Sequence, residues 1–207
     1  MPRGPANLGR SALIVFDMLN AFVNSEDAIR SEKARRTIGP CRQIIGQARR
    51  TDIPIFYANS LHRPDYKDSG ATLTDASTDL TPWPDGPQLM GKPPGTEGTP
   101  GAEVIDELAP QRDDYVVPKH RWSAFAGTAL DVLLRGQGLD TILLTGGATD
   151  IGILSTACAA RDLGYHLVIL RDACHTPRDD AQEFCMTRIF PRMARVMTVD
   201  EAIAALT

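Results

Sequence analysis

The sequence predicts an α/β fold in which a parallel β-sheet of about six strands is flanked by helices on both faces. Three observations lead there. Short apolar runs alternate with segments of helical periodicity from one end of the chain to the other, the order that builds parallel sheets. Several runs are apolar at every position rather than at every second one, as strands covered on both faces are. The 207 residues, 43% hydrophobic and 23% charged, match a packed domain of ordinary composition and give residues 1–207 as one domain.

Taken in order, SALIVFD (residues 11–17) reads as a buried first strand with Asp17 at its carboxyl mouth. Residues 26–50 are charge-rich and carry Ile38, Ile44, Ile45 and Ala48 at helical spacing, with Pro40 expected to interrupt or restart the helix. IPIFYANS is a second strand. Residues 63–101 hold many Pro, Gly, Asp and Thr without periodicity, a long loop expected to border the site. GAEVIDELAP predicts a short helix ended by Pro110, and DDYVVPK a third strand closing on Lys119. TALDVLLR is amphipathic and TILLTGG is a fourth strand. IGILSTACAARDLGY is a helix ended near Gly164, HLVILRDA a fifth strand and DDAQEFCMTRIF another helix. ARVMTVDEAIAAL supplies the final strand and helix.

Composition excludes several functions. A net charge of -4, from 22 basic and 26 acidic side chains, offers no broad cationic surface for nucleic acid. No apolar run approaches the roughly 20 residues that span a bilayer, and MPRGPANLGR lacks the apolar stretch of a signal peptide, so a cytoplasmic chain without a membrane partner is expected. Cys41, Cys158, Cys174 and Cys185 are too few and scattered for a disulfide framework. His62, His120, His166 and His175 form no zinc-ligand spacing.

In a sheet of this kind the ligand crevice lies beyond the carboxyl ends of the strands. Asp17, Lys119 and the GGATDIG turn into a helix all fall there, and a carboxylate, an ammonium and backbone NH groups suit acid/base chemistry with oxyanion binding. Either charged residue alone also serves as a helix cap or half of a solvated ion pair. A dinucleotide fold wants GxGxxG after its first strand, whereas Gly146, Gly147 and Gly152 follow the fourth at another spacing. A phospho-acceptor domain wants further acids beside Asp17 to hold Mg²⁺, and SALIVFDML has none. GxSxG is absent.

The motifs ALIVFDMLNAF, GTPGAEVIDELAP, VVPKHRWSAFAGTAL, GGATDIGILSTACAARDLGY and VILRDAC, in order, resemble those of the isochorismatase-like hydrolases, also called cysteine hydrolases. The resemblance implies their three-layer fold, with Asp17 and Lys119 as two members of a catalytic triad. It also implies a cis Gly147-Ala148 peptide that turns NH groups near Ala148 and Gly152 toward a substrate oxygen, with Thr149 in the same turn. The third member, a cysteine in the amide-cleaving relatives, matches Gly152, which leaves an expected space large enough for a water. Cys158 lies about 240° round the helix from it and is expected to be small, buried and turned away from the crevice. Thr149 and Thr156 are alternative nucleophiles.

Isochorismatases proper also carry glycine there and share the K-x-R-aromatic-SAF pattern, here Lys119, Arg121, Trp122, Ser123, Ala124 and Phe125. Their chemistry implies protonation of a vinyl ether and capture by water, without a covalent step. Ala148 and Asp150 depart from their pattern, and GTPGAEVIDELAP reads more like the amide-cleaving members. Two alternatives therefore stand beside water addition by Asp17 and Lys119: a cysteine-dependent amidohydrolase altered at Gly152, and a ligand-binding pseudoenzyme. Nicotinamidase-type members bind a metal through Asp-x-His. ANSLHRPD does not reproduce that spacing, so His62 is read as lining the crevice or the surface and no metal or cofactor is assigned. His120 is expected to point away from the site. Phe22, Trp83 and Trp122 are candidate walls for a small planar substrate or else members of the core, and Arg121 is a candidate partner for its carboxylate or for one of the protein's own acids. The resemblance further implies a homo-oligomer.

Overall fold

The computed structural model describes residues 10–69 and 95–206. Six strands form one sheet: β1 (Ser11–Phe16), β2 (Ile55–Ser60), β3 (Tyr115–Lys119), β4 (Thr141–Gly147), β5 (His166–His175) and β6 (Arg195–Met197). Their order is β3-β2-β1-β4-β5-β6 and every pairing is parallel. The chain builds outward from β1 on one side, then crosses to β4 on the other. The crevice at such a reversal opens between the ends of β1 and β4.

Side-chain alternation along β1 sorts the core into two layers. Leu13 and Val15 face α3 (Ile38–Arg50) and the last helix, α7 (Val199–Leu206), together with α2 (Ala28–Arg36). Ala12, Ile14 and Phe16 face α4 (Leu130–Gly136) and α5 (Leu154–Asp162). All six β1 residues are buried, as a central strand covered on both faces requires. β3 is an edge strand, where Pro118 removes no hydrogen bond that a neighbour needs.

One expectation is refined in position and another is corrected. The break between α2 and α3 falls at Thr37, whose hydroxyl donates to the Ala34 carbonyl, and Pro40 sits inside the first turn of α3, where its missing NH is harmless. GAEVIDELAP is not a helix. Its Val104 bridges Leu19 in antiparallel fashion, Ile105 NH donates to the Met18 carbonyl and Tyr57 Oη to the Leu108 carbonyl. These long-range bonds hold the segment extended, with single 3₁₀ turns at Pro100–Ala102 and Asp106–Leu108. A short α1 (Asn20–Val23) follows the β1 mouth, and α6 (Asp179–Phe184) follows β5. No helix among the described residues is long and apolar enough to cross a membrane.

Gly146 lies at the point where β4 passes the end of β1. Its φ is +104°, and a Cβ there would stand 2.9 Å from the Phe16 carbonyl carbon and closer still to its oxygen. Both the left-handed backbone and the close approach exclude a side chain. Gly146→Ala is expected to cost at least about 2 kcal/mol of stability in urea denaturation. A loss below about 0.5 kcal/mol would show that the two strand ends are not held this closely.

Candidate active site

Asp17 is the first residue past β1, and its φ of +51° puts a non-glycine residue in the left-handed region, where Asp and Asn are tolerated best. The turn swings its carboxylate under the end of β2. Oδ1 accepts from Ser60 NH at 2.6 Å and Oδ2 from Lys119 Nζ at 2.7 Å. The register explains the meeting, because Ser60 pairs with Lys119 across β2 and β3, while β2 flanks β1. Lys119 is 3% exposed and Asp17 7%. Burial pushes the Asp17 carboxyl above the usual carboxylate range, against the opposing pull of Lys119, Ser60 NH and, more weakly, His62. Lys119 Nζ also rests 4.3 Å from the centre of the Phe16 ring, a cation–π contact that supports the ammonium from its apolar side.

The Gly147–Ala148 peptide is cis, and Thr149–Ile153 forms a single wide turn before α5. Gly152 lies in this turn, against β1. An added Cβ would stand 2.6 Å from Phe16 Cζ and closer still to Cε1. The space expected at Gly152 is therefore not empty. Period-two alternation sends Phe16 to the α5 side of the sheet, and its ring fills the place where a side chain at 152 would start.

A cavity of about 960 Å³ opens at these strand ends, and its lining includes Phe16, Asp17, Phe22, His62, Lys119, Arg121, Trp122, Gly147, Ala148 and Gly152. The structure thus brings together most of the residues singled out from sequence. Trp122 is 68% exposed at the rim, so it is no core residue. Trp83 lies outside the described residues. Thr149 is corrected: it is fully buried and does not line the cavity, because the turn points it into the protein. Thr156 is fully buried too, with its hydroxyl accepting from Ala124 NH. Cys158 is exposed rather than buried and does not line the cavity. Burial drives the Cys41 thiol up to about 12, and raises Cys174 and Cys185 as well, so none of these three is a ready thiolate.

His120 is also corrected. Strand alternation ends at Lys119, and the chain turns so that His120 lines the cavity beside His62, with ring centres 5.9 Å apart. Asp68 joins them, 3.1 Å from His120 Nδ1 and 3.6 Å from His62 Nδ1. The donor atoms of His62, Asp68 and His120 lie within 4.8 Å of one another, close enough to hold a metal ion. They are also engaged with the protein: His120 Nδ1 is 2.6 Å from the Leu61 carbonyl and must donate to it, and Asp68 Oδ2 accepts from Arg63 NH at 2.9 Å. His120 Nδ1 and Asp68 Oδ2 thus already have protein partners, whereas Asp68 Oδ1 is buried with no hydrogen-bond partner among the described residues.

Sequence reasoning passed over His175 and Arg30, which also line the cavity. His175 is the last residue of β5, and Gly147 packs so closely that a Cβ there would lie 2.9 Å from its Cδ2. Burial, with the charge of Arg30 adding to it, holds its imidazole down to about 4, so it is neutral near pH 7. The one signal in the sequence was its place at the end of a fifth strand in a sheet whose strand ends form the crevice.

The chain matches the family model described as "Isochorismatase domain" over residues 11–201. It is 41% identical to the uncharacterized isochorismatase family protein YwoC of Bacillus subtilis over 192 residues, 93% of this chain and 92% of that one. Ureidoacrylate amidohydrolase RutB of Pseudomonas syringae pv. syringae is 29% identical over 202 residues, covering 93% and 82%. Among solved structures, N-carbamoylsarcosine amidase from Thermoplasma acidophilum superposes with a TM-score of 0.74 at 33% identity, over 92% of this chain and 97% of that one.

The buried carboxyl makes a prediction about stability. A folded pKa above the unfolded value of 3.8 means that Asp17 contributes fully below the unfolded pKa and loses that contribution as pH rises through the folded one. Asp17→Asn, which cannot ionise, is expected to gain stability relative to wild type as pH rises across that window, read by urea denaturation at each pH. A variant that instead loses stability relative to wild type as pH rises would mean that Lys119 outweighs burial and holds the carboxyl down.

Proposed function

The chain belongs to the isochorismatase family, and from that premise we propose a hydrolase that adds water to a small planar substrate without a cysteine nucleophile. The observation that carries this reading is the contact between Gly152 and Phe16 beside the Asp17–Lys119 pair. A glycine has no nucleophile, and the ring leaves no room for one. Acid/base chemistry is what remains to the charged groups of this wall.

In this reading Asp17 enters the reaction protonated, favoured by its burial. It gives its proton to the electron-rich carbon of a vinyl ether, or to the leaving heteroatom of an activated carbonyl compound. Water then attacks the electron-poor carbon and releases a proton that returns to the Asp17 carboxylate. The sum is one water added and no group left on the protein. Lys119 stabilises the carboxylate while it is charged. NH groups of the turn around Ala148 and Gly152 face the oxygen on which negative charge develops, where the substrate is a carbonyl compound. Phe16, Phe22 and Trp122 supply flat apolar walls.

Cleavage of a C–N bond is the second reading, favoured by the printed activities of two relatives, an ureidoacrylate amidohydrolase and a carbamoylsarcosine amidase.

The test is turnover of vinyl ethers, ureido amides, cyclic imides and lactones by wild type, Asp17→Asn, Gly152→Cys and the double variant Phe16→Val/Gly152→Cys. Wild type is expected to hydrolyse at least one class, with kcat/KM falling about 100-fold or more in Asp17→Asn and no gain in Gly152→Cys, whose thiol meets the Phe16 ring. Silence of the wild type, with amide cleavage appearing only once a thiol is installed, would identify an amidohydrolase that has lost its nucleophile and would end the cysteine-free reading.

A further inference from the structure

Among the described residues four cations line the cavity, and three are already occupied by the protein. Lys119 is bonded to Asp17, Arg178 pairs with Asp180 at 2.8 Å, and Arg121 Nη1 donates to the Asp68 and His120 carbonyls at 2.8 and 2.7 Å. Arg30 differs from all of them. Its backbone is fixed in the first turn of α2, where Asp27 caps the helix and accepts from Ile29 NH and Arg30 NH. Its side chain lines the cavity, yet its Nε is buried without a hydrogen-bond partner among the described residues, and no described carboxylate pairs with it.

A guanidinium carries five donors in a planar fork, and a buried donor without an acceptor is costly, so such a group is completed by what enters the cavity. The surroundings favour an anion. His175, the titratable neighbour on this wall, is neutral near pH 7 and leaves the positive charge there to Arg30. Asp150, the other acid on the cavity wall besides Asp17, is engaged by the Thr176 hydroxyl at 2.7 Å. The aromatic walls suit a flat body attached to that anion.

We propose that Arg30 is the carboxylate anchor of the cavity, and that its ligands are small planar carboxylates held through two parallel bonds from the guanidinium fork. The proposal rests on the reading of the cavity as a substrate site but not on any bond being cleaved in it. Arg121, the candidate anchor from sequence, is instead tied to backbone carbonyls.

Benzoate and benzamide, equal in shape and differing in charge, test this by equilibrium titration. Wild type is expected to bind benzoate about tenfold more tightly than benzamide. That preference should persist in Asp17→Asn, Arg121→Gln and Arg178→Gln and collapse to within about twofold in Arg30→Gln. Arg30→Lys, which keeps the charge and loses the fork, should fall between them. A measurement independent of the stability of Arg30→Gln is the Nε–H resonance of Arg30 in the ¹⁵N spectrum of the wild type, assigned by its loss in Arg30→Lys, which benzoate should shift and benzamide should not. Equal binding of the two probes, a preference that survives in Arg30→Gln, or an unmoved Nε–H resonance would each overturn the proposal. Loss of turnover with the preference intact would count only against the hydrolytic reading.

Discussion

The hydrogen bond of 2.7 Å between Lys119 Nζ and Asp17 Oδ2 is the interaction on which the rest of the site depends. A carboxyl group and an ammonium buried together are tolerated only where their geometry is good and their remaining atoms are bonded. The fold meets that requirement at several points. The left-handed turn at Asp17 aims the carboxylate beneath β2, and Ser60 NH takes its second oxygen. Phe16 covers the ammonium. Parallel register between β2 and β3 brings Lys119 to the same depth as Ser60. Phe16 also belongs to the core, whereas the turn at Asp17 and the Ser60 bond hold the carboxyl against the ammonium at the mouth of the crevice.

Phe16 links this pair to the turn that carries Gly152. The same ring touches Lys119 on one side and Gly152 on the other. Glycine at 152 and phenylalanine at 16 are thus one packing solution rather than two separate changes, since a close-packed interior does not accept a new side chain without displacing an old one.

The cavity is asymmetric in charge. At the ends of β1 and β3 the acid and base neutralise each other. At the ends of β5 and the start of α2, a neutral histidine stands beside an arginine whose buried Nε has no partner among the described residues. A bonded acid and ammonium on one wall and an unpartnered guanidinium Nε on another make the two ends of the cavity chemically different.

The sequence by itself determined the parallel sheet, its six strands and the identity of the Asp17–Lys119 pair. Apolar runs of strand length alternating with helical periods leave few other arrangements, and charged residues ending buried strands can only fall at the sheet's edge. Gly152 was singled out only through the family resemblance of its motif. Tertiary structure alone decided what it packs against. Phe16 and Gly152 are 136 positions apart, and their contact follows from β1 pairing with β4 and from the angle of the turn beyond, neither of which has a local signature. The same holds for GAEVIDELAP, whose helical pattern yields to bonds with Met18 and Tyr57, and for His120, turned inward once its strand ends. Local pattern sets which elements form; long-range packing and hydrogen-bond satisfaction set which side chains meet.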